Sequence, residues 1–125
     1  EILHLQVAEG QLAGGLLHGL AGALYEELQY TETGDFLTGT LMDYLCPTVN
    51  EMPESILMDH IVLPTPQSLT GAKGIGESTA QPAPIAIANA VADAVYHLGV
   101  EIHELPITPS RLGEKLHKCT EGKHP

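Results

Sequence analysis

Apolar residues recur at helical spacing near the start of the chain and again after residue 82. The first set predicts a helix over about residues 10–29, because intervals of three and four place side chains on one helix face. Its members are Leu12, Leu16, Leu20, Ala23, Leu24 and Leu28. The second run predicts a helix over about residues 82–98. Thr108 followed by Pro109 predicts the start of a short C-terminal helix, since proline fits the first helical position.

Between these helices the pattern changes to one typical of strands and turns. Residues 56–63 alternate between two faces with few strongly polar side chains, which predicts a mostly buried strand. A hairpin is predicted over residues 30–40, and short strands are predicted over residues 1–7 and 100–104. The predicted fold class is therefore α+β with α/β-like character: two main helices and a short C-terminal helix packed on a small mixed sheet.

A glycine-rich stretch lies between the predicted buried strand and the second helix. It reads Gly71-Ala72-Lys73-Gly74-Ile75-Gly76-Glu77-Ser78. Glycines permit positive φ and close approach to a ligand, so Glu77 is a carboxylate held at a tight turn. Two interpretations stay open: a plain turn capped by Ser78 or Thr79, with Glu77 near a helix N-terminus, or an acid that faces a ligand. Neither the phosphate-loop order G-x-x-x-x-G-K-S/T nor the dinucleotide order G-x-G-x-x-G is present.

Charge and composition narrow the classes of partner. Residues 1–125 are enough for a single domain, and 16 Asp and Glu against 5 Lys and Arg give a formal charge of -11. This balance argues against nucleic acid and against an anionic membrane surface, because phosphate binding needs clustered Lys and Arg. No apolar run reaches the about 18 residues of a membrane span. Cys46 and Cys119 lack zinc-site or disulfide-framework spacing, so no metal ligand is predicted and a reducing cytoplasm is expected.

Several motifs together resemble a known enzyme family. Gly71 to Glu77, followed by residues 86–94, is similar to the C-terminal end of the molybdenum hydroxylases. These are the family of xanthine oxidase, aldehyde oxidoreductase and aerobic carbon monoxide dehydrogenase. Gly10-Gln11 with Gly14-Gly15, and the residues that follow it up to Glu27, resemble an upstream G-Q-x-x-G-G helix of that family. The motifs occur in the family's order, from about Val7 to Leu116.

The resemblance implies an oxidoreductase that hydroxylates an aldehyde, a heterocycle or carbon monoxide with water as the oxygen source. It implies a molybdenum–pterin cofactor and Glu77 as the general base. The residues implied to bind the cofactor are Gln11, Lys73, Gly74, Ile75 and Gly76. For Lys73, an outward orientation without cofactor contact is an equal alternative.

The family's catalytic subunit is far longer than this chain. The resemblance therefore implies that residues 1–125 are the C-terminal portion of a molybdopterin-binding domain that shares its cofactor with other segments. It implies iron–sulfur clusters and FAD only on partner subunits, and no turnover by the chain alone. The alternative is a non-catalytic truncated fragment, or an interaction module, of the same family. The substrate stays open.

Overall fold

The computed structural model describes residues 1–121. Its regular structure is helical: α1 is Leu5–Leu24, α2 is Pro82–Val95 and α3 is Pro109–Glu121. Two short 3₁₀ helices, Val49–Glu51 and Tyr96–Leu98, complete these elements within the described residues. The predicted helices are therefore present, and α2 continues directly into the second 3₁₀ helix as far as Leu98.

The predicted mixed sheet is wrong, and with it the α+β fold class. Within residues 1–121 the structure forms no strand, and its β pairing is an isolated antiparallel bridge between Tyr30 and Phe36. No backbone–backbone hydrogen bond is recorded for residues 56–63 or 100–104 in the described part of the chain. A β-strand needs a neighbouring strand that is hydrogen-bonded to it through the backbone, whereas alternation along the sequence indicates only a backbone suited to the extended conformation.

The first helix begins and ends earlier than its leucine pattern predicts. His4 caps its start, since the Nδ1 atom of His4 accepts a hydrogen bond from the Val7 amide at 3.3 Å. The strand predicted over residues 1–7 is therefore wrong from Leu5 onward. At the other end, the amides of Tyr25 and Glu26 both donate to the carbonyl of Ala21 at 2.9 Å, which ends the helix before Leu28.

Helices α1 and α2 cross at glycines. A Cβ atom on Gly15 would lie 2.3 Å from the Thr79 hydroxyl, and one on Gly19 would lie 2.6 Å from the Ala83 methyl and 3.0 Å from the carbonyl oxygen of Ala80. Contacts this short leave no room for a side chain. Glycine costs roughly 1 kcal/mol relative to alanine inside a helix, and here it permits the two backbones to meet.

The buried apolar core of the described residues is small and built from short side chains. Its members are Ala8, Ala21, Ala23, Ala83, Val95, Val100 and Ile107. No large side chain in residues 1–121 is fully buried, and many leucines, isoleucines and valines are exposed. The helices therefore bury little apolar surface against each other.

The third helix is attached to the end of the first. The Ile107 amide donates to the Ala23 carbonyl at 2.6 Å, and Arg111 forms an ion pair with Glu27. Thr108 caps α3 as predicted, because its hydroxyl accepts a hydrogen bond from the Arg111 amide at 3.3 Å. Across the described residues, none of the helices has both the length and the apolar character that crossing a bilayer requires.

Candidate functional site

The glycine-rich stretch, residues 71–78, forms a loop with a fixed beginning and a fixed end; we call it the glycine loop. At its beginning, the Thr65 amide donates to the Gly71 carbonyl at 3.0 Å, and Gly71 has a φ of 70°. A side chain at position 71 would be strained at that φ. At its end, the Ser78 amide donates to the Ile75 carbonyl at 3.1 Å.

Thr79 attaches the glycine loop to α1. Its hydroxyl donates to the Leu12 carbonyl at 2.7 Å, a bond between residues far apart in the sequence. The capping role considered for Ser78 or Thr79 is not observed, because Gln81 is the N-cap of α2 and its side chain makes no cap hydrogen bond. The Thr79 hydroxyl instead fixes where the loop lies against the first helix.

Glu77 lies at a cavity of about 430 Å³. The cavity is lined by Gly74, Ile75, Gly76, Glu77, Ser78 and Gln81. The Glu77 side chain is exposed, and the structure records no hydrogen bond or ion pair for its carboxylate within residues 1–121. A carboxylate in this position has both oxygens available to a ligand.

Gln11 lies beside the same part of the loop. Its amide oxygen is 3.4 Å from the position that a Cβ atom on residue 76 would occupy. Gln11 belongs to the exposed side of α1, and no hydrogen bond to its side chain is recorded among the described residues. The structure therefore brings the amide of Gln11 to Gly76, the residue before Glu77.

The backbone of the loop presents a row of free donors. The amides of residues 73–77 have no hydrogen-bond partner in the part of the chain that the structure describes. Successive backbone N–H groups of this kind form binding sites for anionic oxygen atoms. The loop thus contains several unpaired backbone N–H groups and the carboxylate of Glu77, and the carboxamide of Gln11 on α1 lies beside it.

Lys73 lies on another side of the loop. It lines a cavity of about 280 Å³ together with Asp59, His60 and residues of the loop, and it does not line the cavity of Glu77. Gly74 and Ile75 border both cavities. The sequence-predicted site residues therefore fall into two groups, with Gln11, Gly76 and Glu77 on one side and Lys73 on the other.

Three residues near the loop make contacts that the sequence does not predict. Gln81 lines the Glu77 cavity, Thr79 attaches the loop to α1, and His60 approaches Glu9 on α1 with Nε2 to Oε1 at 3.5 Å. Gln81 precedes a proline at a helix start, which is a weak signal for an N-cap and none for a cavity. Within residues 1–121 no group of three or more His, Cys, Asp or Glu residues could hold a metal ion.

Comparisons with known proteins agree on one family. Residues 1–53 match the model of the molybdopterin cofactor-binding domain. The chain is 37% identical to the nicotine 6-hydroxylase large subunit of Paenarthrobacter nicotinovorans over 97% of its own length. It is 38% identical to the carbon monoxide dehydrogenase large chain of Hydrogenophaga pseudoflava over 88% of its length.

The solved structures extend this similarity to the fold. The chain superposes on quinoline 2-oxidoreductase from Pseudomonas putida 86 with a TM-score of 0.86 and 41% identity over 90% of this chain. It superposes on a Cu,Mo-CO dehydrogenase with a TM-score of 0.84 and 34% identity over 92% of this chain. In each of these four comparisons the chain spans 14% of the relative's length.

Proposed function

Because this chain belongs to the molybdenum hydroxylase family of xanthine dehydrogenase, aldehyde oxidoreductase and carbon monoxide dehydrogenase, we propose that it forms one wall of a molybdenum–pterin site. We propose that residues 1–125 are the C-terminal portion of the molybdopterin-binding domain of a large subunit. The observation that carries the proposal is the cavity that Glu77 and the glycine loop line, with the Gln11 amide oxygen 3.4 Å from the Cβ position of residue 76.

The chemistry of the donor set fits such a cofactor. A pterin with phosphate and oxo groups is rich in oxygen acceptors, and the amides of residues 73–77 are unpaired donors. The Gln11 carboxamide can both donate and accept, so it suits a pterin edge that carries both kinds of group. Lys73 borders the neighbouring cavity and suits a negatively charged group, such as a phosphate, on that side of the loop.

Glu77 is the general base in this proposal. When bound, the cofactor supplies the redox centre that takes electrons from the substrate carbon. The Glu77 carboxylate accepts a proton from the water-derived oxygen that the substrate receives, and a correctly placed base of this kind contributes about 100- to 10,000-fold to a rate. The loop supports the role because its two fixed ends and the Thr79 bond hold Glu77 in position.

The remainder of the subunit is an essential partner in this proposal. The described residues supply one open side of the cavity, and an exposed carboxylate exchanges protons freely with bulk water. We propose that other segments of the large subunit close the site, that separate iron–sulfur and flavin subunits accept the electrons, and that these 125 residues alone do not turn over substrate. The proposed reaction is the oxidative hydroxylation of an aldehyde, a heterocycle or carbon monoxide.

The test is Glu77→Gln in the complete enzyme. Glutamine keeps the shape of the side chain but accepts no proton, so we expect kcat to fall about 100- to 10,000-fold. Molybdenum and pterin content, measured by elemental analysis and pterin fluorescence, is expected to equal that of the unmodified enzyme.

Glu32→Gln is the matched control, because Glu32 is exposed and lies far along the chain from the glycine loop. It makes the same change of charge and is expected to keep full activity. Near-normal turnover of the Glu77→Gln enzyme with full cofactor content would show that Glu77 is not the base.

A further inference from the structure

Thr79 links three parts of the candidate site. Its hydroxyl donates to the Leu12 carbonyl of α1 at 2.7 Å, and its own carbonyl accepts a hydrogen bond from the Ala83 amide of α2 at 3.1 Å. Glu77 stands two residues before Thr79 in the chain. One residue is therefore bonded to both helices and is joined through the backbone to the proposed base.

The Glu77 side chain has no anchor of its own in the described part of the chain. Within residues 1–121 no hydrogen bond or ion pair is recorded for its carboxylate, and the amides of residues 73–77 are unpaired. The bond from the Ser78 amide to the Ile75 carbonyl stays inside the glycine loop. The position of the carboxylate therefore depends on the backbone that follows it, and Thr79 is where that backbone is bonded to α1.

Gly15 provides the space that the Thr79 hydroxyl occupies. A Cβ atom at position 15 would overlap this hydroxyl and would lie 3.3 Å from the Ala80 amide nitrogen. Gly15 is buried, whereas the neighbouring Gly14 has open space at its Cβ position. A methyl group at position 15 would therefore push residue 79 away from α1, and one at position 14 would not.

The two ends of the Thr79 bond lie next to the two polar side chains of the site. Leu12 directly follows Gln11, whose amide oxygen is 3.4 Å from the Cβ position of residue 76. Thr79 follows Glu77 by two residues. This hydrogen bond therefore sets how far Gln11 and Glu77 stand from each other. Such spacing matters for a rate, because a displacement of about 1 Å can cost about 100-fold.

We infer that Thr79 is a positioning residue, whose hydroxyl, admitted by Gly15, holds Glu77 where it can act as the base. The inference rests on the proposed function, because it takes Glu77 as that base. Thr79 acts through the backbone of residues 77–79 and does not itself touch the substrate. A bond that only stabilised the fold would change the melting temperature of the enzyme and leave kcat of the folded enzyme unchanged.

The first test compares Thr79→Ala with Thr79→Ser in the complete enzyme, because these two variants differ only in the hydroxyl. We expect alanine to lower kcat about 10- to 100-fold at unchanged molybdenum and pterin content. Serine keeps the donor and is expected to retain most of the activity. Equal kcat values for the two variants, whether both high or both low, would overturn the inference.

Thr38 offers the matched control for this comparison. Its hydroxyl donates to the Glu27 carbonyl at 2.9 Å, so it also joins two separate segments of the chain. Thr38 is buried and does not line the cavity of Glu77. We expect Thr38→Ala to lower the melting temperature and to leave kcat unchanged. A loss of kcat as large as that of Thr79→Ala would show a general effect of weakened folding and would overturn the inference.

The second test asks whether Thr79 acts through Glu77. Losses caused by residues that act as a unit are not additive. We therefore expect Thr79→Ala to lower kcat in the unmodified enzyme and to cause no further loss in the Glu77→Gln enzyme. A loss by the same factor in both backgrounds would show that Thr79 affects the reaction without Glu77, and would overturn the inference.

A third measurement does not depend on turnover. We expect Gly15→Ala to lower the melting temperature less in the Thr79→Ala background, because the overlap with the hydroxyl is then absent. Gly14→Ala is the control and is expected to cause the same shift in both backgrounds. Equal shifts for Gly15→Ala in the two backgrounds would show that position 15 does not accommodate the Thr79 hydroxyl. If Gly15→Ala alone does not fold, recovery of folding in the double variant supports the inference and failure to recover overturns it.

The results distinguish this inference from the proposed function. Near-normal turnover of the Glu77→Gln enzyme would overturn both. An inactive Glu77→Gln enzyme, together with equal kcat values for Thr79→Ala and Thr79→Ser, would overturn the positioning role of Thr79 alone.

Discussion

Thr48 and Glu51 close a capping box at the start of the 3₁₀ helix Val49–Glu51. The Glu51 carboxylate accepts hydrogen bonds from the Thr48 amide at 2.5 Å and from the Thr48 hydroxyl at 2.8 Å. Both bonds hold the pKa of Glu51 below its ordinary value of 4.5, and the bond from the Thr48 amide has the larger effect. Both hydrogen bonds therefore favour the ionised form of the Glu51 carboxyl group.

The pH dependence of this box has a definite sign. A carboxyl whose folded-state pKa is lowered stabilises the protein above its unfolded-state pKa, and the stabilisation is lost as pH falls through the folded-state pKa. We expect Glu51→Gln to lower the urea midpoint at pH 7, and to lower it by less at pH 4, which is below the ordinary pKa of 4.5. Glu54→Gln is the control, since no partner of Glu54 is recorded within the described residues. A difference of equal size at both pH values would contradict the assignment.

At the same scale, the sequence predicts the residue types of the candidate site better than their arrangement. Glu77 and the neighbouring glycines are recognisable because they are adjacent in the chain. The approach of Gln11 to Gly76, and the separation of Lys73 from the Glu77 cavity, depend on how α1 lies against the loop. That placement comes from the Thr79 bond and the glycine contacts, which no local pattern reveals.

Among the elements, the crossing of α1 and α2 sets the geometry of the site. Gly15 and Gly19 face α2 and the residues before it, whereas a Cβ on Gly14 would meet no atom within 4 Å. Glycines of the same helix therefore differ: Gly15 and Gly19 lie where no side chain fits, whereas Gly14 has open space at its Cβ position. Sequence alone shows that the glycines are costly in a helix and does not show which of them are in contact.

This difference predicts opposite effects of one substitution. Gly19→Ala places a methyl group 2.6 Å from the Ala83 methyl and 2.9 Å from Pro84 Cδ, and such overpacking costs about 1–3 kcal/mol. Gly14→Ala meets open space and is expected to stabilise the protein by roughly 0.5–1 kcal/mol. Free energies of unfolding from urea titrations measure both. Shifts of the same sign in the two variants would show that the helices do not cross at Gly19.

The helices were predictable and the sheet was not, for a physical reason. Apolar residues at intervals of three and four describe contacts within one helix, so the sequence contains the signal locally. Alternation over residues 56–63 describes one strand, and a sheet needs a second strand from elsewhere. Within residues 1–121 that second strand is absent, and the sheet did not form.

At the scale of the whole molecule, exposed apolar surface is the dominant feature. Leu41, Met42, Leu57, Ile61 and Leu69 are all more than half exposed, and the buried core consists mainly of alanine and valine. In folded proteins leucine, isoleucine and methionine side chains are among those most often buried. The formal charge of -11 opposes association of the isolated chain.

We expect the 125-residue chain by itself to bind the dye ANS and to self-associate at high salt, because salt screens the repulsion between acidic copies. The complete subunit is expected to bind far less dye per molecule, because in the proposal its other segments cover the same surface. Dye fluorescence and light scattering at low and high salt measure both effects. A monomeric, dye-silent isolated chain would show that its apolar side chains need no further cover.

The contact between α1 and α2 has a thermal consequence. Where the two helices touch, the atoms that meet belong largely to main chain, proline ring and alanine methyl groups, which have no alternative rotamers. Rotamer flips of exposed side chains occur within picoseconds to nanoseconds, and atoms without alternative rotamers take no part in them. The contacts that fix the backbone of Gln11 on α1 relative to that of Glu77 just before α2 therefore have little freedom to change. We expect the distance between these two backbone positions to stay constant with temperature until the helices separate.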